Sequence, residues 1–431
     1  MRQRFKIFLI GAGLLLMAAA VYGSDAMQAS TYFGGSGADG SWPTSVFTLD
    51  DQGYVYLTGM TDSPDIPVTS GAFDTTYNGG SADCFVAKFT PDLGTLVAAT
   101  FVGGSESDAG MALIWSDDGW LILVGQTESP DFPAVAGCYD TTYNGGASGP
   151  YGSGDTFALR MSTDLSQVTA ATYLGGAGHD VPKKLVLDAS GRLIIAGHTN
   201  SEDFPATPGA YATMKAGSPL GEDCFVAILT ADLTGLECAS YLGGSGNDFS
   251  ETLGVNSTGA IYIGGWLQST DFPTTPGAFD TDYNGHQYDG FVSRFSADLS
   301  TLDASTYLGG SSWEFVYAMT LDDSSNVYAA GHTASTDYPV TAGAYDETYN
   351  SQQGPNIGDD VFITMLNPDL SAVTASTYLG GSVWENAYGL IISPENGVTV
   401  CGSTCSPDFP VGSMAWQPDF HGGSRHAGDA F

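Results

Sequence analysis

Short apolar runs separated by turn residues fill the chain from about residue 30 onward. Ser45 to Leu49 and Lys184 to Leu187 each lead through an Asp-x-x-Gly turn (Asp50 to Gly53, Asp188 to Gly191) into a second run, Tyr54 to Gly59 or Leu193 to Gly197. Two β-favouring runs joined by such a turn predict a hairpin, strands a and b. A third run opens on Asp-x-Phe (Phe85-Val86-Ala87-Lys88-Phe89) and turns near Pro91-Asp92-Leu93, and a fourth returns from it. These are strands c and d.

The same four-strand pattern recurs six times. Its first marker is a Gly-Gly pair beginning at Gly34, Gly103, Gly175, Gly243, Gly309 and Gly380, a period of 66 to 72 residues. An Asp-aromatic-Pro element follows at Asp65 (with Ile66 in place of the aromatic), Asp131, Asp203, Asp271, Asp337 and Asp408, and then Asp-x-Phe at Asp83, Asp155, Asp223, Asp289, Asp360 and Asp429. From the Phe of Asp-x-Phe to the next Gly-Gly the distance is 18 in all five complete units, whereas the stretch between the two Asp elements varies from 18 to 24. Fixed lengths predict paired strands, and the variable one a surface loop. A four-stranded antiparallel meander at this spacing is a propeller blade; a β-helix repeat is much shorter, and separate sandwich domains need about 100 residues each. The fold expected is an all-β propeller with six repeats, in units starting near residues 30, 99, 171, 239, 305 and 376.

The last unit is incomplete, because the sequence stops at Phe431, on the Phe of its own Asp-x-Phe. The residues before Gly34 match strand d alone, so strand c of the last blade lacks a source. We therefore expect a longer natural chain that supplies it, with seven blades then within reach.

Residues 1–23 read as a secretory signal: basic Arg2, Arg4 and Lys6, an apolar run from Ile7 to Val21, and a small-residue site before Ser24. The propeller domain is then 24–431, secreted or at the cell surface. No later segment is apolar enough to span a membrane.

Charge narrows the function further. Lys plus Arg total 11 against 48 Asp plus Glu, a net charge of −37, which argues against a nucleic-acid or other phosphate-binding surface. With so few cations, most carboxylates must be solvated, bonded to turn amides or gathered around a metal such as Ca²⁺.

The repeats resemble the bacterial β-propeller repeats called SBBP, through Ser-Thr-Tyr-Leu-Gly-Gly (Ser305 to Gly310, Ser376 to Gly381), Asp271 to Asp280 and Asp-Cys-Phe-Val (Asp83 to Val86, Asp223 to Val226). The likeness spans Ser30 to Phe431. It implies seven blades and an exported location, and it brings no reaction or ligand.

In a propeller the d-to-a and b-to-c connections share one face, which here holds all the elaborate loops. An acid stands five residues after the first Gly of every unit, at Asp39, Asp108, Asp180, Asp248, Glu314 and Glu385. Two readings stand for this set: carboxylates accepting bonds from their own loops, or a ring around the channel mouth whose mutual repulsion a Ca²⁺ ion relieves. An aromatic pair four residues apart marks the b-to-c loop in five units: Phe73 with Tyr77, Tyr139 with Tyr143, Phe279 with Tyr283, Tyr345 with Tyr349, and Trp416 with Phe420. These rings either pin the loop to its blade or stack on a ligand such as a glycan. The third unit breaks the pattern with Tyr211 and Lys215.

Catalytic motifs are scarce. Cys401, Cys405, His421 and His426 have zinc-site spacing, but they straddle the repeat's own Asp408-Phe409-Pro410 element, which argues against a finger. The six cysteines read as buried small apolar side chains rather than disulfides, since Cys84 and Cys224 hold the same place in different units. The function expected is binding or surface display of an extracellular glycan or protein ligand; the alternative is an extracellular polysaccharide hydrolase or lyase. An acid in the channel mouth without counterparts in other blades would favour the enzyme, and six equivalent ionised acids the binding module.

Overall fold

A computed structural model describes residues 17–19, 29–40, 46–145, 154–351, 358–393, 397–413, 415, 417–422 and 428–431. The fold is a six-bladed β-propeller, all β among the described residues, and each expected meander is present. In the second blade, strand a is Asp108–Trp115, b Trp120–Thr127, c Asp155–Ser162 and d Val168–Leu174, paired in that order. The fifth runs Glu314–Leu321, Val327–Thr333, Asp360–Leu366 and Val373–Leu379. Among the described residues the sixth holds three strands, the last being Asp429–Ala430. Ala29–Thr31 pairs with Met17–Ala19, inside the apolar run read as a signal segment.

The chain divides into two compact units, Met1–Ile195 with Thr199–Pro205 and Ala227–Glu237, and Ala196–His198, Ala206–Val226 and Cys238–Phe431; the division passes through the third blade. In each unit the core lies between successive blades. Tyr56, Val86, Leu113, Leu123, Phe157 and Leu165 pack together in the first unit, and Tyr262, Val292, Val316, Val327, Phe362 and Leu370 in the second. Apolar burial of about 1.5–3 kcal/mol per large side chain makes these seams the main stabilising term.

Two turn types shape the blades. The a-to-b turn closes on a left-handed residue, with Gly53, Gly119, Gly191 and Gly259 at φ 80–87° and Ser325 at 63°. The Asp50 carboxylate accepts from the Gln52 and Tyr54 amides, so the Asp-x-x-Gly signal is an Asx-type turn. At the c-to-d turn the left-handed residue is Leu in five blades: Leu93, Leu165, Leu233, Leu299 and Leu370, at φ 53–60°. A Leu tolerates this conformation here because its side chain is buried in the core, and the Leu165 carbonyl receives the Phe73 amide of the preceding blade at 2.8 Å.

Strand a carries a β-bulge after its third residue in the second, fourth, fifth and sixth blades, so that Met111, Glu251, Tyr317 and Tyr388 each lack an opposite partner on strand b. A bulge bends the strand and re-aims the extra side chain. Opposite it stands a glycine, Gly125, Gly265, Gly331 or Gly402, where an added Cβ would come within 1.7–2.1 Å of a strand-a carbonyl oxygen.

Candidate functional site

The acids of the repeat act first on their own blade. In every unit the strand-a acid accepts a bond from the second glycine of Gly-Gly: Gly35 to Asp39 at 2.7 Å, Gly104 to Asp108 at 2.7 Å, Gly176 to Asp180 at 2.8 Å, Gly244 to Asp248 at 2.7 Å, Gly310 to Glu314 at 3.0 Å and Gly381 to Glu385 at 3.0 Å. Hydroxyls complete the shell, Thr199 and Ser201 donating to Asp180 and Thr333 to Glu314. Five of the six are buried, and only Asp39 is partly exposed. The Asp of Asp-x-Phe is, in the first five blades, a second buried acid that closes the b-to-c loop, as where the Asn144 amide donates to Asp155 at 2.9 Å and the Ala216 amide to Asp223 at 2.7 Å.

These two acids face each other across the first glycine of Gly-Gly. A Cβ built on Gly309 would stand 2.0 Å from Asp289 Oδ1 and 2.6 Å from Glu314 Oε2, and one on Gly175 would stand 2.8 Å from Asp155 Oδ1 and 2.7 Å from Asp180 Oδ2. The Gly-Gly signature is therefore a gap through which two carboxyl groups meet. Oδ1 of Asp83, Asp155, Asp223 and Asp289 is buried and accepts no hydrogen bond. Burial first, and then the paired acid, lift Asp83 and Asp223 to about 7, Asp155 to about 8 and Asp289 well above the carboxylate range. Asp108, Asp180 and Asp248 rise to about 6, again chiefly by burial. Each pair is thus suited to share one proton.

A calcium cage needs 6–8 oxygens. Each blade offers two carboxyls already bonded by amides, and no group of three or more possible metal ligands occurs among the described residues. The six strand-a acids stand one to a blade. Melting midpoints in Ca²⁺ and in EDTA, at matched ionic strength, test a metal role for Asp39, Asp108, Asp180, Asp248, Glu314 and Glu385: a rise with Ca²⁺ supports it, and coinciding midpoints count against it.

The paired aromatics of the b-to-c loop hold that loop. Tyr77, Tyr143, Tyr283 and Tyr349 each set their ring 6.0 Å from an aromatic of strand d, Phe101, Tyr173, Tyr307 and Tyr378. Phe73, Tyr139 and Phe279 give their amides to the carbonyls of Leu165, Leu233 and Leu370 in the following blade. Phe279 also borders a depression of about 310 Å³ with Asp280, Asn284 and Asp337, and Tyr345 is largely exposed. Phe420 is partly exposed, while Trp416 and His426 lie outside the described residues. In the third blade Lys215 replaces the second aromatic and donates to the carbonyls of Ala216, Ser218 and Gly221. All six cysteines are free thiols.

A different set of residues breaks the repeat's symmetry in the second unit. Five positions on the loop face are Ser107, Ala109, Met111, Gln126 and Gly154 in the second blade and His179, Val181, Lys183, His198 and Glu222 in the third. In the fourth blade the same positions hold Asn247, Phe249, Glu251, Trp266 and Tyr288, and in the fifth Trp313, Phe315, Tyr317, His332 and Asp359. They form one connected surface. Phe249 stacks on Trp266 at 4.0 Å, Trp266 meets Tyr288 at 5.2 Å and Phe315 at 5.1 Å, and Phe315 stacks on His332 at 4.7 Å. Tyr317 lies 5.4 Å from the His332 ring and 5.9 Å from that of Tyr388 in the sixth blade.

Two carboxylates are set into this surface. Trp266 Nε1 donates to Glu251 at 3.3 Å, and Trp313 Nε1 donates to Asp359 at 2.8 Å, whose second oxygen is 3.7 Å from His332 Nε2. Burial, followed by Glu251, Tyr388 and Asp359, raises the Tyr317 phenol far above its usual range, so it stays a protonated hydrogen-bond donor. Trp266, Tyr288, Trp313, Phe315 and Tyr317 are partly exposed and Tyr388 is exposed. The arrangement can stack a ring and offer both donors and acceptors to its substituents. Aligning the repeats and reading their differences, instead of their common residues, would have found these positions.

The propeller class is thereby defined, with one asymmetric loop-face surface. No family model matches the chain, and no curated protein matches it. Similar solved structures include a protein of unknown function from Dyadobacter fermentans, 13% identical over 85% of this chain and 91% of that one with a TM-score of 0.42. An ulvan lyase, a polysaccharide lyase, is 8% identical over 92% and 86% with a TM-score of 0.48, and a protein of unknown function from Bacteroides caccae is 8% identical over 85% and 91% with a TM-score of 0.39. Identities of this size do not extend to activity.

Proposed function

We propose that the protein is an exported or cell-surface binding propeller whose ligand, an extracellular glycan, sits on the loop face of the fourth to sixth blades. One observation carries this reading: aromatic residues with set-in carboxylates occupy the positions that hold Ser107, Ala109, Met111, Gln126 and Gly154 in the second blade, and a ligand site needs that asymmetry whereas a structural repeat does not. Trp266, Tyr288, Phe315, Tyr317 and Tyr388 supply the rings; Glu251, Asp359 and the Tyr317 hydroxyl bond to sugar hydroxyls. Glycan-array binding by the intact protein tests it. Signal should fall at least tenfold in a Trp266→Ala, Tyr317→Ala variant that melts like the parent, and an array without signal above that variant's overturns the reading.

The second reading, a polysaccharide hydrolase or lyase, draws on the contact of His332 with Asp359 next to Tyr317. An imidazole 3.7 Å from a carboxylate, with a phenol at hand, offers the groups of general acid–base chemistry. Depolymerisation of a bound polysaccharide, lost in His332→Ala with binding retained, would favour it.

A further inference from the structure

We infer that the loop-face surface of the fourth to sixth blades holds an internal stretch of one uncharged polysaccharide chain, laid along a row of ring platforms, and not a chain end or a single sugar. This rests on the binding reading above and adds the form of the ligand to it.

The row is built from ring contacts, measured between centroids. It passes from Trp266 in the fourth blade to Phe315 at 5.1 Å and on to Tyr317 at 5.9 Å in the fifth, then to Tyr388 at 5.9 Å in the sixth, all within the second unit. These steps are close to the length of one pyranose along a chain, so consecutive sugars can each meet a ring. The tilts between neighbouring rings are 53°, 16° and 45°, so the row is not flat. A flat crystalline face of a polysaccharide would lie on only part of it, whereas a single chain can turn from one platform to the next. Two platforms are backed by buried rings: Phe249 stacks on Trp266 at 4.0 Å and His332 on Phe315 at 4.7 Å. Rings already held in place cost little side-chain ordering on binding. Exposure sets the direction of the ligand. Trp266 and Tyr288 are partly exposed where the row begins and Tyr388 is 41% exposed where it ends, so a bound chain can run on past either end. The net charge of −37 repels a polyanionic chain from a distance and leaves an uncharged one free to approach.

The test titrates the whole protein calorimetrically with ladders of one to six sugars: gluco-, xylo-, manno- and N-acetylated chito-oligosaccharides, and oligogalacturonates as the charged counterpart. In a neutral ladder that binds, affinity should rise roughly tenfold or more from the disaccharide to the tetrasaccharide and then level off. Tyr388→Ala, at one end of the row, should remove most of that rise and leave the disaccharide within about twofold of the parent. A merely structural role for Tyr388 would weaken every length alike, and that result counts against the row. Melting curves identify a variant that fails to fold, and Trp266→Ala, at the other end, then serves in its place. Reducing the sugar at the reducing end to its alditol should leave hexasaccharide binding unchanged. Equal affinity along the ladder, loss of binding on that reduction, or tighter binding of oligogalacturonates overturns the inference and leaves the glycan reading standing. If no ladder binds, the inference falls, and the glycan reading falls with it when the glycan array is silent too.

Discussion

Asp155→Asn is expected to stabilise the protein at pH 8 and to leave it nearly unchanged at pH 4. Asp155 is buried beside Asp180, and its folded pKa of about 8 stands far above the 3.8 of an unhindered Asp. A folded chain that holds this proton between about pH 4 and pH 8, where the unfolded chain has lost it, loses stability steadily as pH rises through that window. Above the window the full cost of ionising the pair is present; below it, the cost is absent. An amide in place of the carboxyl keeps the acceptor for the Asn144 amide and removes the like charge, so about 2 kcal/mol should return at alkaline pH. Asp83, Asp223 and Asp360, each raised to about 7, repeat this arrangement, and the wild-type melting midpoint should therefore be highest on the acid side of neutrality. Asp232 and Asp298, lowered to about 2 first by side-chain hydroxyls, act in the opposite sense, and their contribution fades only as pH falls below about 4. Denaturant titration of both proteins at pH 4, 6 and 8 checks the sign. An Asp155→Asn protein less stable than wild type at pH 8 would show that the carboxylate is worth more ionised than its pairing indicates.

Gly309→Ala should be among the most damaging single substitutions in the chain. Its methyl would stand 2.0 Å from Asp289 Oδ1 and 2.6 Å from Glu314 Oε2. Neither carboxyl can move freely, because Asp289 caps its b-to-c loop through the Asn284 amide and Glu314 is tied to Gly310 and Thr333. Overpacking a buried site with broken hydrogen bonds costs on the order of 4 kcal/mol or more. Gly254→Ala is the matched control, since its added methyl would approach nothing closer than 3.5 Å, an ordinary contact, and its stability should change by less than about 1 kcal/mol. Equal stability of the two variants would mean that the acid pair yields and that the Gly-Gly motif has another origin.

The fold was legible because each blade is made locally. The Asp50 and Asp188 turns, the Asp-x-Phe starts and the constant distance from strand c to the next Gly-Gly all describe neighbours along the chain, and a hairpin's register follows from its turn. The repeated acids at Asp108 and Asp180 were equally visible, and one of their two sequence readings, bonding to their own loop's amides, is the one their hydrogen bonds follow.

What the sequence by itself could not supply was depth and pairing. Asp155 and Asp180 lie 25 residues apart on successive blades, and only the packing of one blade on the next turns them toward each other across Gly175. The same holds for the aromatics: Tyr143 and Tyr283 carry the pattern of a ligand-stacking pair, yet the blade spends them on Tyr173 and Tyr307. Conversely, Phe249, Trp266, Tyr288 and Phe315 belong to four separate segments, and Glu251, Tyr317 and Tyr388 reach the loop face through a strand-a bulge that no local run of residues announces. Short-range backbone chemistry therefore determined the blades, whereas the composition of the loop-face surface was decided only by tertiary packing, which brings residues from distant segments within a few ångströms and sets which charges must share a proton.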